Sequence, residues 1–555
     1  MTRVIQSSVV PSELSAESLD QVPSLNNLAS ICVTSPIKLS VFMHFLEGYP
    51  LDIAQFLFNG FSHGFRIGFS SLSSPSGSIR NNLSATLNKD SVSAAILKEI
   101  QRGHTAGPFE YPPLSNLHCS PLGAVPKKDG STRIILDLSS PLGSSVNDGI
   151  PIESCHVKYA TFDSAVSMVH AFGKGCFMAK IDIKHAFRLC PVHPDDWHYL
   201  GYFWLGRWYF DIRLPFGSRS SPFIFNTFAD CLQWILVERF SITGITHYLD
   251  DFFLVASSRE ECQYKIDLVC FVFKLLGIPI AEDKLEGPTQ SIVYLGIQID
   301  SLRSIICLPT DKLVELKFLV STWISKKKST KQALLSLIGS LSFACKVVKP
   351  GRIFLRRLID LSTTVSKLRH HIDISAGVRA DLRMWAQFLN LWNGRSFMLD
   401  PPLSSDSIDL YSDASFSGLG AYFQGQWISY AWPVDVSKFH ISILELFAVF
   451  AAVSTWGDSL SRKQITVFTD NEAIVSVWST GSSRDPAIMT LVRSLFFLSV
   501  KCNLALTFQH VPGVFNVYAD LLSRLQVDAF KSACQQASPT PSIIPASVWA
   551  VLEEI

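Results

Sequence analysis

Short runs of alternating apolar and polar residues recur along the chain, set between longer stretches with apolar residues at helical spacing. In CFMAKIDIKHAF, the apolar residues Phe177, Ala179 and Ile181 alternate, which predicts a strand ending near Asp182. HYLDDFFLVA (247–256) predicts two short strands meeting at a tight turn, with Asp250 and Asp251 at its tip. Further on, IDLYSDASFSGLGAYFQGQWISYAW predicts three short strands joined by Gly-containing turns, and Asp413 falls in the first. Glu445 lies in HISILELFAVFAAV, a segment of helical periodicity, and Asp470 ends the strand predicted for QITVFTD, where a helix begins. Asp520 sits on a predicted helix in NVYADLLSR, and Asn516 four residues earlier shares its face.

These patterns also divide the chain. A sequence of 555 residues exceeds what one core holds and predicts about three or four domains. Residues 1–91 read as an N-terminal extension. It has a poorly ordered polar start to about residue 35, an apolar segment (LSVFMHFLEGYPLDIAQFLFNGFSHGFRIGF) that begins helical, and a Ser/Gly linker, SSLSSPSGSIRNN. Strands and helices alternate over 92–310, helices dominate 311–405, alternation returns over 406–528, and 529–555 is a Pro/Ser-rich tail.

Composition narrows the class. The formal net charge is +1 with 17% charged residues, so there is no global basic signature, and a nucleic-acid partner would have to meet positive charge concentrated in a groove. The 12 cysteines show no CxxC spacing, and most read as buried free thiols in a reducing compartment. The polar, Ser-rich N-terminus lacks the apolar core of a signal peptide, and no apolar run reaches about 18 residues. The expectation is a soluble intracellular chain, in cytoplasm and/or nucleus, without a membrane partner.

The acids carry the chemistry. Apolar and aromatic residues flank Asp250 and Asp251, and burying adjacent anions costs several kcal/mol per charge unless a cation compensates. If the strand ending at Asp182 neighbours that turn, three carboxylates converge and repel. Hard oxygen ligands suit Mg²⁺, and two such ions can clamp the attacking and leaving oxygens of a phosphoryl transfer. Asp413, Glu445, Asp470 and Asp520 form a second set with the composition a two-metal nuclease needs. Taken singly, each residue has a plainer reading: solvent-facing turn acids, a surface Glu445, an N-capping Asp470, a Phe187 in a helix core. The order of the pieces decides between the readings.

That order resembles a reverse transcriptase. YLDD matches the family's metal-binding hairpin and Asp182 its first metal aspartate, so the resemblance implies metal held by Asp182, Ile183 and Asp250, with Asp251 beside them. KKDGSTRIILD resembles the fingers segment that touches the incoming triphosphate, through Lys127 or Lys128 and Arg133, residues whose charges suit phosphate. LPFGSRSSPFIFN, from Leu214 to Asn226, resembles the segment that positions template and nucleotide, which implies substrate contacts from Pro215, Phe216 and Gly217. Lys284 matches a lysine for which the family suggests a proton-donor role, and YLGIQID (294–300) resembles the hairpin that grips the primer terminus. Phe187 stands where the family places a ring beneath the sugar, leaving no room for a 2′-hydroxyl and so selecting deoxynucleotides. One departure is that LSSPLGSSVND follows Asp137 where many relatives have an aromatic residue and an arginine.

The later acids, in the order strand-Asp, helix-Glu, strand-end-Asp, helix-Asp, resemble ribonuclease H, and His510 in HVPGVFN matches that family's mobile histidine. Together the resemblances cover about 92–525. They imply an α+β multidomain fold: a right-hand polymerase of fingers, palm and thumb, then a connection and an RNase H-like α/β domain. The implied function is an RNA-directed DNA polymerase with C-terminal RNase H. Mg²⁺ would serve with two ions per site, with Mn²⁺ as the alternative, and the partners would be dNTPs, RNA template, DNA primer and RNA–DNA hybrid. Lys326, Lys327, Lys328 and Lys331 read either as a grip on duplex phosphates or as a solvated face. NGFSHGFRIGF, SPLGAVPKKDGSTR, PLGSSVNDGI and SFACKVVKPGRIFLRRLID resemble DIRS-like retroelements, which integrate by a tyrosine recombinase. Recombinase and integrase motifs are not found in the sequence, so that machinery is expected to be encoded elsewhere. The rival reading is a decayed or domesticated, catalytically silent nucleic-acid-binding protein, against which the intact acids of both sites weigh.

Overall fold

The computed structural model describes residues 31–71, 75, 77, 80–127, 130–391, 395–397, 408–433, 435–460, 463–502 and 504–554. The poorly ordered start expected for 1–35 lies outside them up to residue 30, and Ile31 is already buried. The chain divides into two compact units, one reaching Tyr294 and taking in Ser301–Arg303, the other comprising Leu295–Asp300 and the chain from Ser304 onward.

The first unit is built on a four-stranded antiparallel sheet in the order Ile245–Tyr248, Asp251–Ala256, Phe177–Asp182, Glu286–Thr289. The strand Asp251–Ala256 is buried from Phe252 onward, as its unbroken apolar run requires of a central strand. Helices Phe162–Phe172, Ser221–Glu238 and Arg259–Leu276 pack against these strands. Their ends are set locally. Thr161 and Ser164 form a capping box, Ser258 Oγ accepts from the Glu261 N–H, and Gly277 ends its helix in the left-handed conformation. A three-stranded sheet (Thr105–Phe109, Arg207–Asp211, Gly201–Trp204) and the hairpin Leu122–Pro126/Thr132–Leu136 complete the unit.

The apolar segment of the expected N-terminal extension shares this core. Its helices Leu39–Phe45 and Leu51–His63 bring Phe42 and Phe61 edge-on against Phe228, at 5.4 and 5.0 Å between centroids. One cluster of buried side chains runs from Ile31 to Ile278. The aromatic rings of the segment find their partners on a helix far along the chain, which local composition does not disclose.

The second unit contains a five-stranded sheet in the order Gln426–Ala431, Gly418–Phe423, Ile408–Ala414, Gln464–Thr469, Ala505–His510. The first three strands are antiparallel and the last three parallel. Helix Ile441–Trp456 is buried almost throughout its length, consistent with its all-round apolar sequence, and Pro486–Lys501 packs on it. Before the sheet come helices Thr310–Ser325, Lys331–Ala344, Arg356–Thr363 and Ala376–Leu391. Within the lysine run, Lys326 lies over the Trp323 ring, Lys328 forms an exposed pair with Asp373 at 3.4 Å, and Lys331 Nζ donates to the Val365 carbonyl at 2.7 Å.

The Pro/Ser-rich stretch is packed rather than loose. Phe530 is fully buried against Trp427 and Leu522, the Ser538 N–H donates to the Gly425 carbonyl just before the outermost strand, and the Ser542 N–H donates to the Trp427 carbonyl within it. Among the described residues, no helix is long and apolar enough to cross a membrane.

Candidate active sites

In the first unit, Asp182 ends one central strand and stands opposite Asp251, the first residue of its antiparallel neighbour. The Ile183 N–H donates to the Asp250 carbonyl at 2.9 Å, so Asp250 is drawn to the same end of the sheet. Lys284, on the short turn Glu282–Lys284, places Nζ 2.9 Å from Oδ1 of Asp182, and the Ala281 N–H donates to the Asp182 carbonyl at 2.9 Å. Burial, then the nearby Asp182 charge, raises the Asp250 carboxyl to about 6. Burial raises Asp251 to about 7, with Lys180 opposing and Asp182 and Asp250 adding to the rise. Oδ1 of Asp251 is buried without a hydrogen-bond partner. Carboxylate oxygens are the donors a hard divalent cation takes, but among the described residues Asp182, Asp250 and Asp251 do not bring theirs within 4.8 Å of one another.

Asp182 and Asp250, but not Asp251, border a cavity of about 640 Å³ whose wall also includes Lys127, Arg133, Phe216, Ile183 and Lys284. The Arg133 guanidinium lies 4.8 Å from the Phe216 ring centroid, which fixes its fork against the cavity wall. Lys128 lies outside the described residues. Gly217 (φ +117°) passes so close to Leu136 that an added Cβ would lie 1.9 Å from the Leu136 carbonyl oxygen. The Leu136 N–H meanwhile donates to the Phe216 carbonyl at 3.0 Å. Pro215 contributes through its backbone, accepting from Ser221 Oγ at 2.9 Å. Phe187 is half-buried and packs 5.3 Å from Phe216 and 5.7 Å from Phe225. It is absent from the cavity lining, and Ala186 and Arg188 take that place.

Sequence reasoning passed over several wall residues: Lys98 on helix Lys89–Gln101, Arg102 at its C-terminal cap, and Lys184, His185 and Arg188 after Asp182. Arg188 is buried between Asp211 at 2.8 Å and Glu99 at 3.1 Å. The spacing of Lys98 and Arg102 one helical turn apart was the available signal for a basic helix face.

In the second unit, Asp413, Glu445 and Asp470 each offer a carboxylate oxygen within 4.8 Å of the others. Asp413 comes from strand Ile408–Ala414, Glu445 from the buried helix, and Asp470 follows strand Gln464–Thr469. Burial and then the Asp470 and Asp413 charges push Glu445 up to about 8. Burial lifts Asp413 to about 6 against a 2.6 Å hydrogen bond from Ser523 Oγ, with Asp470 and Asp520 adding to the rise. Oε2 of Glu445 and Oδ1 of Asn516 are buried without partners, a set that fits a cation.

Asp520 stands outside this trio and pairs with Arg524 at 2.7 Å. Asn516 caps helix Val517–Ser523: its carbonyl accepts from the Asp520 N–H at 3.0 Å, and its Nδ2 donates to the Ser412 carbonyl at 3.1 Å. The cap of the following helix, Glu472–Thr480, is Asn471 and not Asp470, which leaves the Asp470 carboxylate to the cluster. An added Cβ on Gly513 would lie 3.2 Å from Asp470 Oδ2, and exposed His510 ends its strand opposite Thr469.

Residues 125–299 match the family model described as reverse transcriptase (RNA-dependent DNA polymerase). The chain is 25% identical over 226 residues to the Pro-Pol polyprotein of Simian foamy virus type 1, covering 40% of this chain and 18% of the relative. It is 23% identical over 432 residues to the transposon Tf2-3 polyprotein of Schizosaccharomyces pombe, covering 74% of this chain and 29% of that one. The chain thus spans less than a third of the length of these relatives. A solved structure of the foamy viral protease-reverse transcriptase in complex with dsDNA aligns at 18% identity with a TM-score of 0.47, covering 86% of this chain and 98% of that one. This chain carries a reverse transcriptase domain of the retroelement or retroviral polyprotein kind.

Proposed function

We propose that the chain is an RNA-directed DNA polymerase joined to a C-terminal RNase H. It would copy retroelement RNA into DNA and degrade the RNA of the resulting hybrid. The observation that carries the reading is the Asp182–Asp251 pairing with Asp250 alongside, where Asp182 and Asp250 border a cavity walled by Lys127, Arg133 and Lys284. Arg133 and Lys127 suit the triphosphate of a dNTP, one as a planar fork and one as a mobile point charge. Asp182, Asp250 and the Ile183 backbone would hold Mg²⁺, which when bound neutralises charge on the phosphates and favours the ionised form of the attacking hydroxyl. The primer 3′-hydroxyl attacks the α-phosphate, the bond to pyrophosphate breaks, and Lys284 supplies a proton to that leaving group.

The trio Asp413, Glu445 and Asp470 would hold the cation of the nuclease, with Asp520 and His510 at its margin. Water is then the nucleophile and the RNA strand of a hybrid the substrate. Within retroelements, the segments resembling DIRS-like elements favour that subclass, with a recombinase encoded elsewhere. The test is Mg²⁺-dependent extension of a DNA primer on an RNA template, together with cleavage of the RNA in a hybrid. A purified full chain that binds hybrid but does neither would instead be the silent binding protein.

A further inference from the structure

Beneath the turn that carries Asp250 runs a chain of polar contacts that the proposed chemistry does not use. The buried imidazole of His247 has Nδ1 3.2 Å from the Leu249 carbonyl oxygen and Nε2 3.0 Å from Oδ1 of Asp230. A carbonyl oxygen only accepts, so Nδ1 carries a hydrogen and donates it. Nε2 faces the Asp230 carboxylate, so the imidazole reaches the turn with one ring nitrogen and the helix with the other. Oδ2 of Asp230 in turn accepts from Asn226 Nδ2 at 2.8 Å. Asn226 and Asp230 both belong to helix Ser221–Glu238. The imidazole also stacks on Phe252, its partner across the hairpin, at 5.1 Å between centroids.

The residue gripped by this chain is a strained one. Leu249 has φ +54°, in the left-handed region that side chains other than Gly, Asn and Asp rarely enter. Such a conformation persists only where its surroundings hold it. From one side His247 binds the Leu249 carbonyl; from the other, Ile183 binds the Asp250 carbonyl. Two carbonyls in succession are fixed by groups on different elements.

We propose that His247, held by Asp230 and Asn226, is a positioning residue that pins the turn presenting Asp250 and ties helix Ser221–Glu238 to the carboxylates of the polymerase site. The catalytic consequence rests on the polymerase reading; the pinning of the turn does not. A histidine that merely filled the core would owe nothing to Asp230, whose side chain is 53% exposed.

The full chain is compared with His247→Phe, Asp230→Asn and the double variant in two measurements. In primer extension with saturating Mg²⁺, each single variant is expected to lose about tenfold to a hundredfold in kcat, with KM for dNTP within about twofold, because displacement of a reacting group acts on the chemical step. The double variant should lose no more than the worse single one, since both cut the same chain. In amide exchange, residues 248–251 should open about tenfold faster in every variant while the strand Phe177–Asp182 is unchanged. Asp230→Asn is the half-exposed change and serves where His247→Phe does not fold. Unaltered exchange of the turn in Asp230→Asn, or losses that multiply in the double variant, would overturn the proposal. A wild-type chain that extends no primer removes the polymerase reading, and amide exchange alone then decides whether His247 pins the turn.

Discussion

Asp182 stands directly opposite Asp251 across two antiparallel strands, and among the described residues only Asp182 of the pair has a cationic neighbour within hydrogen-bond reach, Lys284 at 2.9 Å. The second acid keeps a buried oxygen without a partner. Behind the pair the strand from Phe252 to Ala256 is fully buried, which holds the backbone that presents the two acids.

Two carboxylate centres on separate units should fail separately. Asp250→Asn is expected to lower RNA-templated primer extension by about 100-fold or more and to leave hybrid cleavage within about twofold. Asp470→Asn should do the reverse. Parallel loss of both activities in either variant would mean that the centres are not independent.

Cation binding should depend on pH in a definite direction. Asp250 is raised to about 6, Asp251 to about 7, Asp413 to about 6 and Glu445 to about 8. For an acid whose folded value lies above its unfolded one, the native state binds the extra proton, so its contribution to stability declines as pH rises from near 4 through the folded value. Without divalent cation these four groups should therefore weaken the fold between about pH 5 and pH 8. Millimolar Mg²⁺ should restore stability at the upper end, where the carboxylates are free to bind it. Calorimetric melting with and without Mg²⁺ at the two pH values checks this, and an equal gain in Tm at both would be inconsistent with it.

Lys284→Ala removes the ammonium beside Asp182 and the proposed proton donor to pyrophosphate. Single-turnover incorporation should slow by about 100-fold, within the range of general acid catalysis, and Lys284→Arg should recover only part of it. An unchanged rate would assign Lys284 to charge balance alone.

Gly217→Ala tests a backbone requirement. With φ at +117° and the Leu136 carbonyl in the way of any Cβ, the loop must shift, at a cost of about 3 kcal/mol or more. Denaturant titration reads the loss. Nucleotide affinity should drop as well, because Phe216 and the Arg133 it supports move with the loop.

Phe187→Ala is expected to relax sugar discrimination, with the dNTP-over-rNTP ratio falling by about tenfold or more. Because the ring packs on Phe216 and Phe225, the variant should also melt earlier. Intact discrimination in a variant that is merely less stable would make Phe187 a packing residue.

Sequence carried the acids further than it carried their surroundings. Alternation marks the strand before Asp182, and the Asp-Asp pair interrupts an apolar run; both signals are local. The core shared by Phe42, Phe61 and Phe228 is not local, since any apolar helix offers the same rings whatever it later meets. His247 reads as one more inward position of a short strand, and its bonds to Asp230 and Leu249 depend on a helix docking beneath it. Ser538 and Ser542 look like loop residues because composition reports side chains, whereas their anchoring is through backbone N–H groups. Lys328 and Lys331 read as free charge until Asp373 and the Val365 carbonyl are placed beside them.

The strip around Ser538 and Ser542 runs beside Gln426–Ala431, the terminal strand of its sheet, and takes up the Trp427 carbonyl there and the Gly425 carbonyl at its start. An uncovered strand of this kind is a template for adding a strand from another molecule. Shortening the chain at its Pro/Ser-rich end would thus expose an adhesive border on the unit. The damage would appear as self-association of otherwise folded molecules, even with every acid of both centres in place.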